Sequence, residues 1–247
     1  MVLLGLDIGG SGMKAAMVDS ETGELVSERF RLPTPKPATP EAVAEVVHKI
    51  CKHFKWEGPV GVSFPTVVKK GKALLSSNLD KEWKKTKIDK KFKAHCGNDF
   101  YIVNDADAAS IAEMNYGAGK GNKGLVITIT VGTGLGSGVY FKGKLLRNFE
   151  LGRIYWKNGE IIELYAADSA RKREKLSLKQ WAKRFDKFLN HVEWTMHPDL
   201  FIIGGGISKK FDEFKGYLST KTKVVAAQSQ NNAGIIGAAE FAKEHLD

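Results

Sequence analysis

Leu3-Leu4-Gly5-Leu6-Asp7-Ile8-Gly9-Gly10-Ser11-Gly12-Met13-Lys14 decides how this chain is read. An apolar run ends in an aspartate and a glycine-rich turn follows at once. Met13 to Val18 then resumes an extended pattern up to Asp19. This is the pattern of a β-hairpin whose tight turn is Gly9, Gly10, Ser11 and Gly12. Glycines let a backbone come close to an anion and aim N–H groups at it. The Ser11 hydroxyl adds a donor, and Asp7 at the mouth of the turn is placed to hold Mg²⁺ directly or through water. A Walker loop is excluded, because it needs G-x-x-x-x-G-K-[ST] ahead of a helix. Taken alone, the segment is equally well a purely structural turn, since glycine-rich turns are common.

Outward from the hairpin, Thr22-Gly23 turns the chain into a third antiparallel strand expected over Glu24 to Leu32. Pro33, Pro35, Pro37 and Pro40 form a linker. Thr39 offers a helix N-cap, Pro40 suits the first helical position, and the helix is predicted to run to about Phe54. Pro59 to Pro65 and Phe100 to Val103 read as buried strands, with a small hairpin at Val67 to Leu75. The second strand ends in Asn104-Asp105-Ala106-Asp107, which opens a helix to about Met114. Polar residues at that point face the ligand side of an α/β protein. N-capping needs only one of the three, so the group points to function. For Asp107, a plain place near a helix N-terminus weighs as much as a functional one.

The second half repeats the first. Gly124 to Thr130 is a strand and Gly132-Thr133-Gly134-Leu135-Gly136-Ser137-Gly138 a second glycine-rich turn. Val139-Tyr140-Phe141 resumes a strand, and Lys142-Gly143-Lys144 turns into a third. This is an internal duplication at low similarity. Two such turns, one per half, weaken the purely structural reading of either. An amphipathic helix is predicted over Lys179 to His197, a strand over Asp199 to Ile203, and then a third glycine cluster, Gly204-Gly205-Gly206-Ile207-Ser208. A short strand at Val224-Val225 and a helix from Asn231 to about His245 complete the pattern.

The 247 residues are enough for one large domain or two small ones, and 43% hydrophobic with 27% charged residues is ordinary for a soluble globular protein. No apolar run approaches the roughly 18 to 20 residues of a membrane span. The chain starts almost directly with a strand, without a signal or transit peptide, so a cytoplasmic location is expected. Cys51 and Cys96 make no metal motif and are read as reduced thiols. The net charge of +10 suits attraction to polyanions, or a lysine-rich solubility surface.

With the three glycine clusters and Asn104-Asp105 in place, the whole chain resembles the ROK family of sugar kinases in the actin-like ATPase superfamily, and within it the polyphosphate glucokinase subgroup. Asp7 to Lys14 resembles the first phosphate motif, with Lys14 spaced as in that subgroup. Gly132 to Ser137 resembles the second phosphate motif, and Gly204 to Ser208 the nucleotide-proximal one. Asn104-Asp105 matches the sugar-contact and catalytic-base pair, and Asn78 stands where a sugar-binding asparagine is expected. The family's Glu-x-Gly-His segment reads Glu150-Leu151-Gly152-Arg153 here, so Arg153 replaces the histidine. Tyr155 stands where a second sugar-binding glutamate is expected, Thr66 where glycine is usual, and the family's cysteine-rich zinc segment is absent.

The resemblance implies a two-lobed α/β fold, ribonuclease H-like, with a central cleft. The lobes are expected at 1–112, with 235–247 returning to the first, and at 113–234. It implies phosphoryl transfer from polyphosphate or ATP to a hexose hydroxyl, with glucose 6-OH the first choice, Mg²⁺ as cofactor and a homodimer. Asp105 would be the general base, while Asn78, Asn104, Glu150 and Arg153 would meet the sugar. Gly9, Gly10, Ser11, Lys14, Gly132, Thr133, Gly134, Gly205 and Gly206 would hold phosphates, and Asp7 the metal. Arg153 either pairs with Glu150 and blocks the sugar or contacts an anionic acceptor. Lys120, Lys123, Lys142, Lys144, Arg171, Lys172 and Arg173 are candidates for a basic polyphosphate track. The competing reading is a sugar or polyanion binder with weak or lost kinase activity. A repressor is not expected, because no helix-turn-helix precedes Val2, and no specific nucleic acid or membrane partner is expected.

Overall fold

The computed structural model describes residues 1–75 and 79–246. Strands β1 (Val2–Ile8) and β2 (Met13–Asp19) form the expected hairpin, with Ile8 opposite Met13 and Asp7 opposite Lys14. The third strand, β3 (Phe30–Leu32), is shorter than the predicted 24–32. Upstream of it the Ser27 hydroxyl oxygen takes the Met17 N–H at 2.9 Å, so a side chain replaces the ladder there. Helix α1 (Pro40–His53) starts as predicted, with the Thr39 hydroxyl oxygen accepting the Ala42 N–H at 3.3 Å. Its buried Val43, Ala44, Val47, Ile50 and Cys51 recur at helical spacing.

The chain continues through β4 (Val60–Phe64), the small hairpin β5 (Val68–Lys69) and β6 (Lys72–Ala73), and α2 (Ile88–Cys96). Next come β7 (Phe100–Asn104) and α3 (Asp105–Tyr116). After them stand β8 (Leu125–Val131), β9 (Leu135–Phe141), β10 (Lys144–Leu146), α4 (Glu163–Ala166), α5 (Asp168–Arg173) and α6 (Leu178–Met196). The last elements are β11 (Leu200–Gly204), α7 (Phe211–Phe214), β12 (Lys223–Ala226) and α8 (Ala233–Lys243). Two compact units result. Unit 1 is Met1–Ala112 with Asn232–Asp247, and unit 2 is Glu113–Asn231.

Among the described residues, the main sheet of unit 1 has the order β3-β2-β1-β4-β7 and that of unit 2 the order β10-β9-β8-β11-β12. In each, the three strands of the hairpin end are antiparallel and the following two run parallel to the first strand. The duplication seen in the glycine turns therefore extends to the strand order. Parallel strands align their carboxyl ends, and in such sheets ligands bind outside those ends.

In unit 1, Leu4, Leu6, Val60 and Val62 point to one face and pack with α1, Trp83 and Phe92. The residues between them point to the other face. There, Gly5 lies opposite Gly61 in the β1–β4 register. Helix α8 sits directly on this pair, because a Cβ at Gly5 would stand 2.1 Å from the Ile235 carbonyl oxygen and one at Gly61 1.8 Å from that of Ala238. In unit 2, α6 lays Trp181, Phe185, Phe188, Leu189 and Val192 against Ile127, Ile129, Val131, Phe201 and Ile203. A capping box at Ser177 and Gln180 starts that helix. No helix among the described residues is long and apolar enough to cross a membrane.

Gly61→Ala forces backbone apart from backbone. It is expected to lower unfolding stability by about 1–3 kcal/mol or more, read as a lower urea midpoint. An unchanged midpoint would contradict the close approach of α8.

Candidate active site

In unit 1 the carboxyl ends of β1, β4 and β7 carry polar residues side by side. Asp7 pairs with Ser63 in register, and Phe64 with Asn104. The Ser63 hydroxyl donates to Asp7 Oδ1 at 3.0 Å, and Lys14 Nζ lies 3.5 Å from Oδ2. The glycine turn follows β1 directly and is closed by a bond from the Gly9 N–H to the Gly12 carbonyl at 3.0 Å. The Thr34 hydroxyl donates to the Gly9 carbonyl at 2.5 Å, and Arg31 Nη2 to the Ser11 carbonyl at 3.2 Å. Gly10 and Ser11 are exposed, and a Cβ at Gly10 would meet nothing within 4 Å. That face is left open to a ligand and ringed by Lys14 and Arg31.

Asn104 is buried and acts as the cap of α3. Its Oδ1 accepts the N–H groups of Ala106 at 2.9 Å and Asp107 at 3.2 Å, while its Nδ2 donates to the Thr66 carbonyl at 3.0 Å. These bonds fix the junction of β7 and α3. Asp105, the first residue of α3, is exposed, whereas Asp107 is fully buried. Asn78 lies outside the described residues.

In unit 2 the second glycine turn joins β8 and β9. Glu163, at the start of α4, accepts the Leu135 N–H at 3.2 Å through Oε2, close enough that a Cβ at Gly134 would meet that oxygen at 2.6 Å. Ser169 on α5 donates its N–H to the Gly132 carbonyl at 3.2 Å and its hydroxyl to the Thr133 carbonyl at 2.6 Å. The carbonyls of the turn are thus tied back into the protein while Gly132 and Thr133 remain exposed. Gly205 follows the adjacent parallel strand β11 with φ +79, and its missing side chain lets it lie against Val131, just before the turn. Gly205 and Gly206 are exposed beside it. The second and third glycine clusters therefore share one sheet end in unit 2.

Glu150 belongs to the same corner. Gly152 packs on the Leu135 carbonyl, and the Ser137 hydroxyl oxygen takes the Leu151 N–H at 2.9 Å. Burial raises the Glu150 carboxyl above its ordinary value and the charge of Glu163 adds to this, while Arg153 opposes both. Arg153 Nε stands 3.3 Å from Glu150 Oε2. Tyr155 points to solvent at 77% exposure. The acidic neighbour of Glu150 is Glu163, thirteen positions further on, and no motif or spacing in the sequence marks it.

The seven candidate basic residues divide. Arg171 and Lys172 are held by the buried Asp168, at 2.6 and 2.8 Å, on the helix whose Ser169 braces the second turn. Arg173 donates to the Leu164 carbonyl and pairs with Glu174. Lys142 and Lys144 sit past the far end of β9, and Lys120 and Lys123 precede β8. A seven-residue strand puts these four lysines roughly 20 Å from the turn.

Among the described residues no three His, Cys, Asp or Glu side chains gather to hold a metal. Asp7, held by Ser63 and Lys14, offers one carboxylate beside the open turn, a donor that fits a hard cation whose remaining ligands come from elsewhere.

Residues 3–150 match the model of the ROK family. The chain belongs to the ROK family. Polyphosphate glucokinase of Mycobacterium tuberculosis is 44% identical over 236 residues, 95% of this chain and 89% of that one. The crystal structure of inorganic polyphosphate/ATP-glucomannokinase from Arthrobacter sp. strain KM superposes with a TM-score of 0.92 at 44% identity, covering 99% of each chain. A ROK family glucokinase from Streptomyces griseus shares the fold, with a TM-score of 0.83 at 24% identity over 99% of this chain and all of that one. The fold is accordingly the two-unit α/β architecture of actin-like ATPase sugar kinases.

Besides Glu163, sequence reasoning missed Ser63, Arg31, Ser169 and the fully buried Glu113, whose carboxylate takes the N–H groups of Ala118, Gln228 and Ser229. Each is an ordinary residue in its local window. Glu163→Gln removes the negative charge that disfavours the Glu150 carboxylate. Glu150 in that variant is expected to titrate at lower pH than in the wild type, read from its carboxyl carbon by NMR. An unmoved titration would separate the two carboxylates.

Proposed function

We propose that the chain is a hexokinase-type phosphotransferase that moves a phosphoryl group from polyphosphate or ATP to a hexose hydroxyl. The observation that carries this is the exposed Asp105 at the head of α3, on the same sheet end as Asp7 and the open Gly9–Gly12 turn. The names of the relatives at 44% identity support the same reading, and make glucose the first acceptor to test and mannose the second.

Phosphoryl transfer needs positioning and charge neutralisation more than covalent help. Asp105 accepts the proton of the acceptor hydroxyl as that oxygen bonds to the terminal phosphorus, and the bridging P–O bond of the donor breaks. Asn104 keeps Asp105 in place and has a second Nδ2 hydrogen for a sugar hydroxyl. Gly9, Gly10 and Ser11, with Lys14, hold donor phosphate in unit 1, while Gly132, Thr133, Gly134, Gly205 and Gly206 do so in unit 2. Mg²⁺, when held at Asp7, offsets donor charge. Glu150, beside Arg153, accepts a hydroxyl of the sugar. Arg171, Lys172 and Arg173 serve the distal phosphates of a long donor.

A coupled assay of glucose and mannose against polyphosphate and ATP, with Mg²⁺, tests the reading. Sugar binding without any phosphoryl transfer would favour a binding protein instead. Asp105→Asn is expected to lose about 10²–10⁴-fold in kcat with an unchanged circular dichroism spectrum. Wild-type turnover in that variant would remove the assigned base. Polyphosphate affinity is expected to fall about 20-fold between roughly 50 and 200 mM salt, as suits about three basic contacts. A flat response would assign the donor to the glycine turns alone.

A further inference from the structure

The two cysteines of the chain, 45 positions apart, lie on neighbouring helices of unit 1. Cys51 lies in the last turn of α1, 5% exposed, and Cys96 is the half-buried last residue of α2. Both are free thiols, and Cys96 packs against the core cluster that contains Cys51. The helices are joined elsewhere by Glu41 of α1, which pairs with Lys91 and His95 of α2. Gly97, left-handed at φ 82, ends α2 immediately after Cys96, so the thiol sits at a helix terminus. Such ends open at little free-energy cost.

We propose that Cys51 and Cys96 form a peroxide-sensitive dithiol, with Cys96 the attacking thiol and Cys51 the resolving one. Hydrogen bonding from Cys51 lowers the Cys96 thiol below its ordinary value, against its burial, and the nearby His95 adds to the effect. The same pairing, with burial, pushes Cys51 up. A lowered and partly exposed thiol beside a second one is the arrangement that oxidants select. Cys96 thiolate attacks hydrogen peroxide, so an S–O bond forms, the O–O bond breaks and hydroxide leaves. Cys51 then attacks the sulfenic sulfur, giving up its proton, so the S–S bond forms, the S–O bond breaks and water leaves. Overall, two thiols and one peroxide become one disulfide and two waters.

The disulfide would staple α1 to α2 and close segment 52–95, which contains Ser63, the partner of Asp7, and Thr66, the partner of Asn104.

The test treats the full-length wild-type protein with hydrogen peroxide, counts thiols under denaturing conditions and maps linked peptides by mass spectrometry. The expected result is loss of both thiols, an intramolecular 51–96 linked peptide and full recovery with a phosphine reductant. In Cys51→Ser the expected product is a dimedone-reactive sulfenic acid on Cys96, and in Cys96→Ser the remaining thiol is expected to survive the same dose. Wild-type protein that keeps both thiols, or in which Cys96 proceeds to sulfinic acid without a linked peptide, would overturn the proposal.

Discussion

The seat of α8 on the sheet of unit 1 is the constraint from which the rest of that unit follows. Gly5 and Gly61 face each other on neighbouring parallel strands and leave no side chain between the sheet and the helix backbone. The register that aligns these glycines also aligns Asp7 with Ser63 two positions on, and the next strand brings Asn104 level with Phe64. A helix lying on bare backbone tolerates no slip, since a shift by one residue would put Leu6 or Val62 under it. Backbone packing two residues below them therefore sets the positions of Asp7 and Ser63 at the carboxyl ends.

Unit 2 uses the same device with a different outcome. Gly205 lies on Val131, which places the third glycine cluster beside the second. The carbonyls of the second turn are drawn inward by Ser169, and its Gly134–Leu135 edge by Glu163. At Glu150, burial and the charge of Glu163 raise the carboxyl while the Arg153 guanidinium opposes them.

The architecture was legible because its signals are local. An apolar run, an aspartate and four turn residues specify the first hairpin, and the same grammar recurs at Gly132. Thr39-Pro40 specifies the start of α1. What escaped are contacts across sequence distance. Glu163 reaches Leu135 over 28 positions, and Ser63 reaches Asp7 over 56. No window of sequence joins either pair. The third strand was read too long because a serine hydroxyl competes with the ladder, and hydropathy does not register that. The basic residues looked like one track in the sequence, yet strand direction sends Lys120, Lys123, Lys142 and Lys144 away from the turn that Arg171 and Lys172 accompany.

The central claim is that the carboxylate at the head of α3 takes the proton of the attacking sugar hydroxyl. A crystal structure of the protein with glucose and a phosphate donor analogue that does not transfer tests it most directly. The account expects the Asp105 carboxylate about 2.6–3.2 Å from the glucose 6-hydroxyl, with Asn104 still capping the helix. Glucose bound with its 6-hydroxyl out of reach of Asp105, or bound at residues other than those named, would contradict it.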